Sequence, residues 1–197
     1  IVSTGAETAL STPRPYGTVS DANGSLYAFG SCVGCIEGTA TDAALWHFTA
    51  EGVLDTSWGD GGRAAANLAA RAAWWVDGAI DARGRIVVVG ARWMGSVTRP
   101  AVARYLPSGR LDAVDFATGG NYFPSSGAVG GMEGTAYAVR VDARGIVVGG
   151  GQGPTGRNMP PRALVFRLTD NGALDATFGT NGVATASTVG GCFDMAF

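Results

Sequence analysis

The residues of this 197-residue sequence with types and spacings suited to chemistry are few. Cys32 and Cys35 bracket a Cys-Val-Gly-Cys motif, a spacing that serves thiol–disulfide exchange or supplies half of a zinc site. Redox pairs of this spacing sit at a helix N-terminus after a strand in an α/β fold, whereas the flanks here are glycine-rich and β-prone. A zinc ion would need His47 and Cys192 to converge on the pair from distant segments. The expected state of Cys32 and Cys35 is therefore a local disulfide in an exported protein, with Cys192 either buried and free or paired beyond the chain. His47 is the single histidine, and no nucleophile lies near it in sequence. No catalytic residue, metal ligand set or cofactor is assigned.

Asp55, Asp112 and Asp175 recur in one pattern, a Leu-Asp pair followed by a lone aromatic (Trp58, Phe116, Phe178) and a closing glycine. A residue present in every copy is read as scaffold, since a site normally needs one copy. Each of these carboxylates is expected to accept backbone N–H groups within its own turn, with Arg104 and Arg167 as charge partners from the neighbouring strand; repeat one has His47 at the arginine position. Trp46 and Trp58 are assigned to packing. Trp93 differs, because it stands with Arg92 and Met94 in a segment that varies between repeats. Exposed tryptophan beside arginine is the pairing enriched at binding hot spots. Arg92, Trp93, Arg99 and Arg157 are the candidate binding residues.

The elements that position these residues follow from self-similarity. The phrase LDTSWGDGG at 54–62 returns as LDAVDFATGG at 111–120 and LDATFGTNG at 174–182. An Asp-Ala-x-Gly turn recurs at 21–24, 81–84 and 142–145, with β-rich runs on both sides. A second turn, Glu51-Gly52, Ser108-Gly109 or Asn171-Gly172, leads into each phrase. With 32 glycines and only 15% charged residues, the composition suits short strands joined by tight turns. The reading is all-β: three four-stranded antiparallel blades of a β-propeller type plus part of a fourth, in one repeat domain over 1–197. The frames are about 1–62, 63–120 and 121–182, with a partial repeat at 183–197, and the Leu-Asp loops are expected to link consecutive blades. The Ala-rich stretch 67–75 reads as strand or loop, because its equivalents carry Pro13, Pro15 and Gly130-Gly131.

The Leu-Asp-x-x-Phe-Gly-x-x-Gly pattern, with its upstream Asp-x-x-Gly turn and apolar-Arg strand, resembles the delta-60 repeat. The resemblance covers nearly the whole chain and is weaker in repeat two, where an extra residue separates Asp112 from Phe116. It implies tandem propeller blades in bacterial, often secreted or cell-surface, proteins, and it implies no catalytic residues.

A net charge of −2 gives no basic field for nucleic acid, and no apolar run approaches the ~20 residues that cross a bilayer. The expected function is a non-enzymatic binding or scaffolding module with a glycan or protein ligand. The competing expectation is a propeller enzyme, a lyase or hydrolase, whose central channel would draw on Tyr16, Asp77 and Arg140 of the inner strands. Binding surfaces are expected on the segments 31–42, 91–100 and 150–161, all emerging on one face. Three blades are too few to close easily. The partner is therefore the rest of a longer polypeptide or further copies of the chain, with residues 1–9 and 192–197 paired to strands.

Overall fold

In each repeat the two turn signals reverse the chain between runs of β-branched and aromatic residues. At the first turn the aspartate caps its own loop. Asp21 Oδ1 accepts the N–H groups of Asn23 and Ser25 at 2.9 Å, Asp81 Oδ1 those of Arg83 and Arg85 at 2.8 and 3.0 Å, and Asp142 Oδ1 those of Arg144 and Gly145 at 2.7 and 3.1 Å. The structure, a computed structural model, describes residues 12–36, 41–68, 72–124, 133–152 and 162–189. Among them are twelve strands and no helix: β1 (Thr12–Ser20), β2 (Leu26–Val33), β3 (Asp42–Phe48), β4 (Arg63–Ala66), β5 (Ala72–Ile80), β6 (Ile86–Trp93), β7 (Thr98–Tyr105), β8 (Asn121–Tyr122), β9 (Gly134–Asp142), β10 (Gly145–Gln152), β11 (Arg162–Leu168) and β12 (Val183–Val189).

These form three four-stranded antiparallel sheets, β1–β4, β5–β8 and β9–β12, each in sequential order. The first strands β1, β5 and β9 pack side by side. They lie level, since Gly17 faces the Val76 carbonyl and the Val139 amide reaches Asp77 across the next junction. The last residues of β2, β6 and β10 therefore lie toward one end of the sheets, and the Asp-x-x-Gly turns gather at the other.

Two apolar seams hold the sheets together. Tyr27, Phe29 and Leu45 of the first sheet meet Trp75, Ile86 and Val88 of the second. The opposite face of the second sheet, with Val87, Val89 and Val102, meets Val139, Ile146, Val148 and Phe166 of the third. Strands sandwiched on both faces bury both side-chain sets, so the central runs are apolar throughout instead of alternating.

The first strand of every sheet carries a bulge at the same place, at Tyr16, Val76 and Tyr137, where the register slips by one residue. A glycine stands opposite each time. A Cβ on Gly30, Gly90 or Gly150 would lie 2.0, 2.0 or 2.5 Å from the carbonyl oxygen of Arg14, Trp74 or Thr135. The bulge presses backbone against backbone, and only glycine fits beneath it.

Two expectations are corrected. The Leu-Asp phrase does not carry the chain between sheets: it joins the third and fourth strands of one sheet, because β4 and β12 pair back onto β3 and β11, and β8 onto β7. The short strand after the phrase finds free donors and acceptors on the edge it has just left, so the covalent links between sheets fall at 67–71 and 123–133. The segment 91–100 is mostly strand: β6 runs to Trp93 and β7 starts at Thr98, leaving a hairpin turn at 94–97. Arg92, Trp93 and Arg99 are thus strand residues. Stretch 72–75 belongs to β5. The expected pairing of 1–9 and 192–197, Cys192 and Arg157 lie outside the described residues.

Candidate functional site

Polar side chains gather at the Leu-Asp phrases and at the end of the second sheet near Arg92. In the phrases the aspartates close their turns. Asp55 Oδ1 accepts the Ser57 N–H at 3.0 Å, Asp112 Oδ1 that of Asp115 at 3.2 Å, and Asp175 Oδ1 that of Thr177 at 3.0 Å. The second carboxylate oxygen meets a nitrogen from the third strand: His47 Nδ1 at 3.1 Å, Arg104 Nε at 2.8 Å and Arg167 Nε at 2.6 Å. Each arginine also lies over the aromatic of its phrase, Arg104 4.7 Å from the Phe116 centroid and Arg167 5.0 Å from that of Phe178.

Each phrase with a following sheet docks on that sheet's second turn. Trp58 Nε1 donates to the Pro107 carbonyl at 2.8 Å, and Gly59 N donates to Ser108 O at 3.3 Å. One unit on, Arg104 Nη1 donates to the Asp170 carbonyl, and Ala117 N donates to Asn171 O at 2.9 Å. The same carbonyl position is served by an indole N–H in one copy and a guanidinium in the other. Tryptophan brings its own donor, so the residue paired with its aspartate can be the shorter His47; phenylalanine has none, and Arg104 supplies it. The extra residue of repeat two is absorbed at 113–114, with Val114 91% exposed, so Phe116 still reaches its slot.

At the second place, Arg92 and Arg99 face each other across β6 and β7, with Trp93 opposite Thr98 beside them. Arg92 Nη1 donates to Leu68 O at 3.1 Å, and its guanidinium lies 3.8 Å from the Phe123 centroid. Its Nε is buried and has no hydrogen-bond partner. Burial, with the facing Arg99 charge, lowers the Arg92 pKa from its ordinary value. Among the described residues neither arginine has an acidic partner within ion-pair distance. Like charges opposed across a ladder are destabilising; Trp93, one residue on and so on the opposite face of the sheet, is 40% exposed, and Met94 in the following turn is 42% exposed. Phe123, which seats Arg92, was not legible as a site residue, because nothing in its local sequence pairs it with β6.

Cys32 and Cys35 are joined as a disulfide with 5.8 Å between their Cα atoms, and the Arg63 guanidinium donates to Cys35 Sγ at 3.3 Å. Asp77 and Arg140 are brought together where β5 meets β9. The Asp77 carboxylate accepts the Val139 amide at 2.8 Å and the Arg140 guanidinium at 3.3 Å, so it ties two sheets together. Tyr16 is 56% exposed on the β1 bulge and is not part of that contact. Among the described residues no group of three histidine, cysteine or acidic side chains could hold a metal ion.

A further charged cluster escaped the sequence reading. Asp170 bridges the second and third sheets by accepting from Arg85 Nη2 at 2.5 Å and from Arg83 Nη1 at 3.4 Å, and Arg85 also reaches Asp81. Burial pushes the Asp170 carboxyl up, but the Arg85 hydrogen bond and the charges of Arg85, Arg104 and Arg83 prevail and hold it below its usual value. The network lines an intersheet cleft of about 640 Å³. Position 170 has no charged counterpart in the other units, where Pro107 and Ala50 stand, so repetition gave no cue.

All-β sheets of this order, set side by side on their first strands, define a β-propeller-type protein. The model of a domain of unknown function (DUF5122) described as a beta-propeller matches residues 84–113, a span covering β6, β7, the turn after them and the Leu-Asp pair. No curated protein matches the chain.

Proposed function

We propose that this β-propeller-type chain is a non-enzymatic binding module of a secreted or cell-surface bacterial protein of the delta-60 repeat kind, with an acidic glycan as its ligand. The observation that carries the reading is the Arg92–Arg99 pair, two guanidinium groups opposed, among the described residues, without an acid, with the exposed indole of Trp93 at the same end of the sheet on its other face. Local arrangements that oppose stability concentrate where a protein binds. Guanidinium groups match carboxylates and sulfates in a fork, while an indole face stacks on a sugar ring. The enzyme reading is supported less, since the Asp77 carboxylate is already engaged by Val139 and Arg140.

The test is calorimetric titration with uronate-containing and sulfated oligosaccharides against neutral ones. Binding confined to the acidic set, weakened at least ~10-fold by Arg99→Ala, supports the reading. Equal affinity for neutral sugars contradicts it, as does turnover on a hydrolase panel that Asp77→Asn abolishes.

A further inference from the structure

Every junction between two described sheets is built from the same two halves, and the chain carries one spare copy of each half. The first half is the aromatic of a Leu-Asp phrase, with a donor and a backbone N–H beside it. The second is the turn before the next phrase, which offers two carbonyls and a glycine on which the ring rests. At the first junction a Cβ on Gly109 would lie 2.9 Å from the Trp58 ring; at the second, one on Gly172 would lie 2.8 Å from the Phe116 ring. Both glycines are buried, and the two rings are 5% and 0% exposed.

The third phrase keeps the shape of the other two, and among the described residues no turn covers it. Phe178 is only partly buried under Arg167. Arg167 spends Nε on Asp175 and Nη2 on Thr177. Among the described residues Nη1, the atom by which Arg104 grips Asp170, has no partner, and the Gly179 N–H has none either. At the other end the turn 49–52 has its hydrogen bond from Gly52 N to Thr49 O at 2.9 Å, the same as its equivalents, yet a Cβ on Gly52 would touch nothing within 4 Å. Val53 beside it is 62% exposed. Leu26, in the first sheet, is 38% exposed where its equivalents Ile86 and Ile146 are 0% and 2%.

We infer that two copies of this chain associate head to tail, Phe178 of each docking on the turn 49–52 of the other. Arg167 Nη1 then donates to the Ala50 carbonyl and Gly179 N to the Glu51 carbonyl, the contacts already made at both internal junctions. Each contact joins unlike surfaces of the two copies, and two arcs of three sheets make six, a number at which propeller sheets close into a ring. The occupant is a second copy because both halves of the contact lie on this chain and continue an interface it already uses twice.

The experiment is sedimentation of the 197-residue chain with two variants that spare the fold. Phe178→Ala removes a ring that is only partly buried in the single chain. Gly52→Asn fills open space at φ 79°, a backbone region asparagine tolerates, and sets a side chain where the ring should rest. The chain is expected as a discrete dimer, and each variant should dissociate roughly 10-fold to 100-fold more readily. Mixing the two variants should restore association, because the mixed pair contains one undamaged junction, which only a head-to-tail contact permits. A monomer, a dimer indifferent to both substitutions, or a mixture no tighter than its components overturns the inference. So does a monomer that captures a separately supplied repeat unit through Phe178, which would assign the face to further repeats of a longer polypeptide.

Discussion

Removing Arg104 should cost far more than removing Arg167, although the two hold the same place in the repeat. Arg104 is 1% exposed and faces Asp112, which is 3% exposed. It donates to Asp112, to the Asp115 carbonyl at 3.0 Å and to the Asp170 carbonyl of the next sheet. Arg104→Ala therefore strands a buried carboxylate and two carbonyls at a junction. Breaking a buried pair from one side costs about 3–5 kcal/mol, against a total stability of about 5–15 kcal/mol. Arg167 has no following sheet among the described residues, and Asp175 keeps its Thr177 contacts when the arginine is gone. Arg167→Ala should cost markedly less, because no carbonyl of a following sheet is stranded. Equilibrium urea unfolding reads the difference as a fall in midpoint at unchanged slope, and Arg104→Lys should recover little because an ammonium cannot span three acceptors. Equal losses for the two alanine variants would refute the claim that position in the array, and not the repeat motif, sets the energetics.

Gly90→Ala should destabilise by about 2 kcal/mol or more, since the new methyl would lie 2.0 Å from the Trp74 carbonyl oxygen; a neutral result in the same unfolding assay would mean the β5 bulge is not tight. Stability should also fall on acidification. Asp55 and Asp175 are held below their usual values, first by the hydroxyls and N–H groups of Ser57 and Thr177 and then by His47 and Arg167, and Asp170 is held down as well. Folded values below unfolded ones give stability that is present above about pH 4 and lost as pH falls through the folded values. Melting temperature followed from pH 6 to 3 should drop, less steeply in Asp170→Asn, and a flat profile would contradict the sign.

The sequence by itself determined the unit. Turn chemistry is local, so Asp21, Asp81 and Asp142, followed by glycine, marked their hairpins, and three spaced copies of the Leu-Asp phrase fixed three sheets of four strands. The His47–Asp55, Arg104–Asp112 and Arg167–Asp175 pairs were also legible, because each joins residues eight apart in sequence within one unit. What the sequence left undecided is whatever passes between units. The phrases link sheets through space and not along the chain, since hydrogen bonding returns the fourth strand to its own sheet while the aromatic reaches the next. Asp170 binding Arg85, Phe123 seating Arg92 and Asp77 receiving Val139 have no spacing that predicts them. Such contacts depend on how far one sheet is turned against its neighbour, and that angle is set by the packed side chains of both faces together.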